Sequence, residues 1–273
     1  MPRLFLLLII LPGLFLCSCK QKGSESKAHF DKGNDFLFSD DLVNAKKEYQ
    51  AAIDADTTNW KACYEMAGVY ELEGDFNNAL YYFTKTVQLN PKYALGFYNR
   101  SNTEETIGDD KACMKDLNMA ISLKKDFFTA LLARGRKEYA AGHFKEAISD
   151  LGDAISARPD FYITYSMRGT CRYKIKDYTG AISDFTMEIR LRPAHAMAYV
   201  NRAVAYGEMQ NYRAAITDLN NALNVDPLWS QAYIYRGLFY IKNNTKDSAC
   251  GDFRMAFKLK NPQAQSYSDQ YCK

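Results

Sequence analysis

A period of 34 residues runs through this chain from about Ser26 to about Asn261, and nothing else in it constrains the fold as tightly. Arg100, Arg134, Arg168, Arg202 and Arg236 step by it, and so do Asp116, Asp150, Asp184, Asp218 and Asp252. Pro159, Pro193 and Pro227 keep the same step, with Pro91 two steps earlier. A small residue recurs at Ala45, Ala79, Cys113, Ala147, Ala181, Ala215 and Ala249. Self-similarity at this period marks stacked supersecondary units, each burying its apolar face only against its neighbours.

Within a unit, Gly33, Ala67, Ser101, Gly135, Gly169, Ala203 and Gly237 lack bulk where two antiparallel helices must approach, and aromatics fill the wider gaps. Proline near the end of a unit cannot extend a helix and starts the turn into the next. Blocks such as "YSMRGTCRYKIKDYTGAISDFTMEIRLRP" and "YVNRAVAYGEMQNYRAAITDLNNALNVDP" resemble tetratricopeptide repeats: an aromatic at position 4, Gly or Ala at 8, Tyr at 11, Ala at 20, an aromatic or Leu at 24, Ala at 27 and Pro at 32. Seven units fit end to end, starting at Ser26, Trp60, Ala94, Phe128, Tyr162, Ala196 and Ser230. The resemblance implies an all-α, right-handed α-solenoid of helical hairpins over residues 26–263, with residues 264–273 as a C-terminal capping helix. The third unit departs most, with Ser101, Glu104, Asp110 and Lys125 at positions 8, 11, 17 and 32, and its inter-helix packing should be the least regular. In the first unit, Lys32 and Glu48 take the Arg and Asp places with charge preserved.

The chain is 47% hydrophobic and 25% charged, the profile of a folded domain, and its net charge of +3 with interspersed signs gives no reason to expect nucleic acid as a partner. Residues 1–18 differ: Arg3, an apolar run and "LCSC" resemble a bacterial lipoprotein signal, with Cys19 as the acylated residue and residues 19–25 as a flexible tether. That implies anchoring to a lipid membrane in the cell envelope, on the outer membrane facing the periplasm. In so oxidising a compartment, Cys250 and Cys272 either pair to staple the terminal helix or stay free. Cys63, Cys113 and Cys171 fall at core-facing positions.

No catalytic or metal motif stands out from the repeat: the three histidines, His29, His143 and His195, hold unrelated positions, and neither zinc-type spacing nor a phosphate-binding glycine loop occurs. Cofactors are not called for. Glu104, Glu105, Asp109 and Asp110 read as a solvated helix end and turn rather than an acid/base pair. The arginine and aspartate series, matched in number and period, read as structural ion pairs between the helices of a unit. In the family, positions 2, 5, 6, 9, 12 and 13 line the concave face. Here the last four units set Leu132, Arg136, Tyr139, Met167, Tyr173, Lys174, Val200, Val204, Ile234, Tyr235 and Leu238 along it. Such a face suits an amphipathic helix or extended peptide. The expected role is a non-catalytic, membrane-anchored scaffold or adaptor for a protein or peptide partner. The alternatives are a structural subunit of an envelope assembly or secretion complex, or a glycan-binding accessory protein.

Overall fold

The structure, a computed structural model, describes residues 13–272, with side chains from Gly23 onward. Among the described residues there are fifteen helices and no strand. They fall in two compact units, Met1–Lys125 and Asp126–Lys273. The first holds three hairpins: α1 (Gly13–Phe38) with α2 (Leu42–Ala55), α3 (Trp60–Leu72) with α4 (Phe76–Leu89), and α5 (Ala94–Ile107) with α6 (Asp110–Leu123). The second holds four: α7 (Phe128–Ala140) with α8 (Phe144–Ala157), α9 (Tyr162–Lys174) with α10 (Tyr178–Leu191), α11 (Ala196–Glu208) with α12 (Tyr212–Val225), and α13 (Ser230–Lys242) with α14 (Lys246–Lys258). A short α15 (Ala264–Tyr271) closes it against α14.

Two backbone devices at the 34-residue step make each hairpin. The turn residues Asp40, Gly74, Gly108, Gly142, Lys176, Gln210 and Asn244 all have φ between 58° and 86°, the left-handed conformation that ends a helix. Glycine takes it freely, and a side chain there costs about 1–2 kcal/mol. The next residue caps the second helix: Asp41, Asp75, Asp109, Asp177 and Asn211 each accept the backbone N–H three residues on. Each such cap contributes about 1 kcal/mol and offsets the turn.

Between the two helices of a hairpin, one large side chain packs under the small residue of the first. Tyr49, Phe83, Leu117, Leu151, Phe185, Leu219 and Phe253 hold this place and are at most 2% exposed. The close approach is literal at Gly33 and Gly237, where an added Cβ would lie 2.5 Å from the ring of Tyr49 or Phe253. Cys63, Cys113 and Cys171 are buried and not disulfide-bonded.

The arginine series grips the aspartate series within each hairpin. Arg168 donates to Asp184 at 3.0 and 2.7 Å, Arg202 to Asp218 at 2.8 and 2.7 Å, and Arg236 to Asp252 at 2.9 and 2.6 Å. Arg100–Asp116 and Arg134–Asp150 repeat the fork. The five carboxylates are 1–5% exposed, so these are buried pairs. Burial pushes the Asp252 carboxyl up while Arg236 opposes it.

In the first hairpin, where Lys32 and Glu48 keep the charges of the series, the Glu48 carboxylate meets His29 Nδ1 at 2.6 Å. Two expectations need correction. Glu104 is not a solvated helix end: it is 6% exposed in the slot where the pattern places tyrosine, and burial, with Asp116 nearby, pushes its carboxyl up to about 7 against the pull of Arg100. Asp109, by contrast, is the N-cap of α6. Residues 19–25 are helical rather than a loose tether, since α1 begins at Gly13 and runs through them. Residues 1–12 of the signal segment and the Cys19 side chain lie outside what is described, and no helix of the described residues is long and apolar enough to cross a membrane.

At the other end Cys250 and Cys272 are bonded, with S–S 2.02 Å and Cα–Cα 5.7 Å. Phe253 stacks on Tyr267 and Tyr271 at 5.6 and 6.2 Å, so rings and bridge hold α15 over the last core.

Two outcomes are expected. Arg202→Ala strands Asp218 and should cost about 3–5 kcal/mol in urea unfolding. Arg168→Ala should cost about half as much, because Arg172 still donates to Asp184 at 2.8 Å; equal losses would show that the second arginine carries no weight. For the bridge, a chain starting at Ser26 should show three reactive thiols when denatured without reductant and five after reduction.

Candidate functional site

The small residues that let each hairpin close also bring its first helix against the next, so α7, α9, α11 and α13 line up as neighbours in the second unit. Their outward side chains fill the gaps incompletely. A cleft of about 520 Å³ opens across α9, α11 and α13, lined by Thr170, Tyr173, Phe185, Met197, Val200, Asn201, Val204, Trp229, Gln231 and Tyr235. Beside it, sharing Thr170, a recess of about 170 Å³ is lined by Tyr139, Ser166 and Met167.

The cleft has a dry floor and a polar margin. Val200 is 3% exposed and packs with Ala203, Leu219 and Phe239, with Val204 and Tyr235 against the same core. Met197 stands 45% exposed at the edge, an apolar contact open to a ligand. At one end the Tyr173 hydroxyl donates to Glu208 at 3.4 Å, and its ring tilts against Tyr178 at 5.5 Å. Burial, and secondarily the Glu208 charge, pushes both phenols above their ordinary range, so they remain hydroxyls. Thr170, Asn201 and Gln231 supply uncharged hydrogen-bonding groups, the usual means by which an apolar pocket fixes orientation. Asn201 makes no hydrogen bond to another described side chain, whereas Gln231 accepts one from Asn261 at 3.2 Å.

Of the residues expected along this face, Tyr173, Val200, Val204 and Tyr235 meet in the cleft, and Tyr139 and Met167 meet in the recess. Leu132 packs beside Tyr139 and Met167 on the Ala147, Leu151 and Cys171 core. Ile234 is misplaced: it is 1% exposed, sealed in the terminal core with Phe253, and Leu238 leans on that same core. Arg136 and Lys174 are exposed and line neither hollow. The residues passed over, Thr170, Asn201 and Gln231, sit at positions 9, 6 and 2 of their units. The same repeat positions point to them, and a preference for apolar, aromatic and basic side chains left them out.

Charge also divides between the units. Residues 23–125 carry 12 Lys and Arg against 17 Asp and Glu, and residues 126–273 carry 20 against 15. The unit holding the cleft is the basic one. At the ends of α7, α9 and α13 the last turn carries Lys137, Arg172 with Lys174, and Lys242.

Comparison with known proteins bears on the repeat fold. Family models described as tetratricopeptide repeat match residues 132–196, and residues 61–93 and 196–227. A curated relative, a tetratricopeptide repeat protein 36 homolog from Nematostella vectensis, is 32% identical over 110 residues, which is 40% of this chain and 50% of the relative. The chain therefore spans half the length of that relative. Among solved structures, the C-terminal part of a TPR repeat-containing protein from Cytophaga hutchinsonii superposes with a TM-score of 0.71 at 18% identity, over 87% of this chain and 98% of that one. YrrB, described as a TPR protein with an unusual peptide-binding site, gives 0.63 at 17% identity, over 68% and 97%. At these identities the structures show the fold alone.

Proposed function

From the premise that the chain is a tetratricopeptide repeat protein, the scaffold of a protein–protein interaction, we propose that its second unit holds a peptide segment of a partner protein in the cleft between α9, α11 and α13. The observation that carries this reading is the cleft itself: a preformed hollow with a valine floor, an exposed methionine, two tyrosines and three uncharged polar groups. Burying one Leu- or Phe-sized anchor contributes about 1.5–3 kcal/mol. Three such anchors along cleft and recess contribute about 4.5–9 kcal/mol of gross burial, which must exceed the entropy lost on association. The basic excess of the second unit favours a segment with acidic flanks, since complementary charge steers encounter and sets orientation. A described peptide-binding site in YrrB supports the reading, as a property of that protein. The work of the chain is holding, not catalysis.

In the same reading the chain is a lipoprotein, acylated at Cys19 and held in the bacterial cell envelope, on the outer membrane facing the periplasm. Its support is the signal-like run of residues 1–18. Two or more acyl chains suffice for stable anchoring, as each buried methylene contributes about 0.8 kcal/mol.

Two outcomes test this. A photo-cross-linker placed at Tyr173 or Tyr235 in living cells should capture one reproducible protein, and Val204→Glu should reduce the yield at least tenfold with little change in melting temperature. Cross-links confined to the second helices would instead favour a structural subunit, and binding of purified glycan with no protein captured would favour a glycan accessory. For the anchor, palmitate label and membrane sedimentation should both disappear in Cys19→Ala; a variant that still sediments with the membrane would remove the lipid tether.

A further inference from the structure

The fifth hairpin, α9 with α10, departs from the other six at three places that meet in space. Its second helix carries Glu188 where the others carry Ala52, Thr86, Ala120, Ala154, Ala222 and Ala256, and all seven positions are 0% exposed. Its first helix carries Ser166 where its neighbours place Leu132, Val200 and Ile234. The residue leading into the next hairpin, an aromatic at Phe127, Phe161 and Trp229, is His195. The imidazole Nδ1 of His195 lies 2.8 Å from Glu188 Oε1, and the Ser166 side chain lies close enough to the same carboxyl group to favour its charged form. A smaller residue at 166 makes room for a larger one at 188, so the exchange conserves volume and introduces only polarity.

That polarity is incompletely satisfied. Glu188 Oε2 and Thr164 Oγ1 are buried with no hydrogen-bond partner. An uncompensated carboxylate in such a place is strongly destabilising. That cost is avoided while the Glu188 carboxyl holds a proton beside the His195 imidazole. We propose that Ser166, Glu188 and His195 form a proton-dependent joint between the fifth and sixth hairpins, tight while the Glu188–His195 pair keeps its proton and loosened once the proton is lost.

The joint lies where it can act on the cleft. Ser166 lines the recess with Tyr139, Met167 and Thr170. His195 is the N-cap of α11, which carries Met197, Val200, Asn201 and Val204 into the cleft. The charged and titratable groups on the packed elements are Tyr162, Tyr165, Arg168, Cys171, Arg172, Tyr173 and Lys174 on α9, Tyr178, Asp184, Arg190 and Arg192 on or just beyond α10, and Tyr199, Arg202, Tyr206 and Glu208 on α11. Arg168 is held by Asp184, Arg202 by Asp218 and Arg192 by the Tyr162 hydroxyl. Among the charged groups His195 acts on Glu188, and both it and the Ser166 side chain favour the carboxylate against burial. Burial is the main influence on that carboxyl and raises it above its ordinary value of 4.5, so the folded chain keeps a proton that the unfolded chain releases. The resulting stability is present at low pH and is lost as pH rises through the raised value.

Urea unfolding of the chain from Ser26 onward, at steps from pH 4.5 to 8.5, tests the joint without any partner. The comparison is between the native sequence, Glu188→Gln, and the double variant Ser166→Val with Glu188→Ala, which installs the side chains of the sixth hairpin. The folding constant of the native chain relative to the double variant should fall with rising pH, by up to tenfold per pH unit for one proton. Relative to the same variant, Glu188→Gln should stay flat; should it fail to fold, hydrogen exchange of residues 188–200 in the native chain and double variant at matched pH gives the local readout. Protection lost with pH only in the native chain supports the joint. Parallel profiles in stability and exchange would overturn it, whatever the cleft binds.

Discussion

Each helical hairpin of this chain leaves an apolar face that only another hairpin can cover, and the rest of the structure follows from that incompleteness. Coverage needs close approach, so one position of each first helix is kept small while a ring or leucine fills the space beneath it. Close approach fixes which residues of neighbouring first helices come together. That juxtaposition leaves a hollow where side chains fall short of one another, and in the second unit the shortfall is the cleft. The Arg–Asp forks serve the same end in a different way. Hydrophobic contact is non-directional, whereas a guanidinium gripping a carboxylate with two parallel bonds admits one rotation of the second helix against the first.

Much of this was legible in the residues. The step of 34 locates every hairpin, the matched arginines and aspartates find one another, and the paired cysteines of the last hairpin and cap are bonded. What escaped did so for physical reasons. The left-handed turn residue is Asp, three glycines, Lys, Gln and Asn in succession, so a repeated backbone conformation is hidden beneath unlike side chains. Val200 and Ile234 share a repeat position with Ser166, yet one floors the cleft, one is sealed in the core and one opens into the recess. A position marks a direction from the helix axis; whether that direction ends in solvent depends on the volume of the neighbour. Glu104 shows the limit most plainly, since a carboxylate in an irregular repeat looks solvated until the packing around it is known.

Departures from the pattern are where individuality enters a repeat protein. Ala at position 27 does nothing that another hairpin does not do. Glu188 in its place asks for a partner, and His195 and Ser166 answer, as Arg100 partly answers Glu104 in the first unit. Both carboxyls are pushed upward by burial. Functional difference along a uniform scaffold is therefore written in its exceptions.

The bonded cap has a consequence for assembly. A hairpin array whose last face stayed bare would offer the same template to a second chain that each hairpin offers to the next, and stacking could continue from molecule to molecule. With α15 laid over Phe253 and locked by the Cys250–Cys272 bridge, that face is already occupied. The bridge is thus a full stop as well as a staple, since it fixes in place the helix that covers that face.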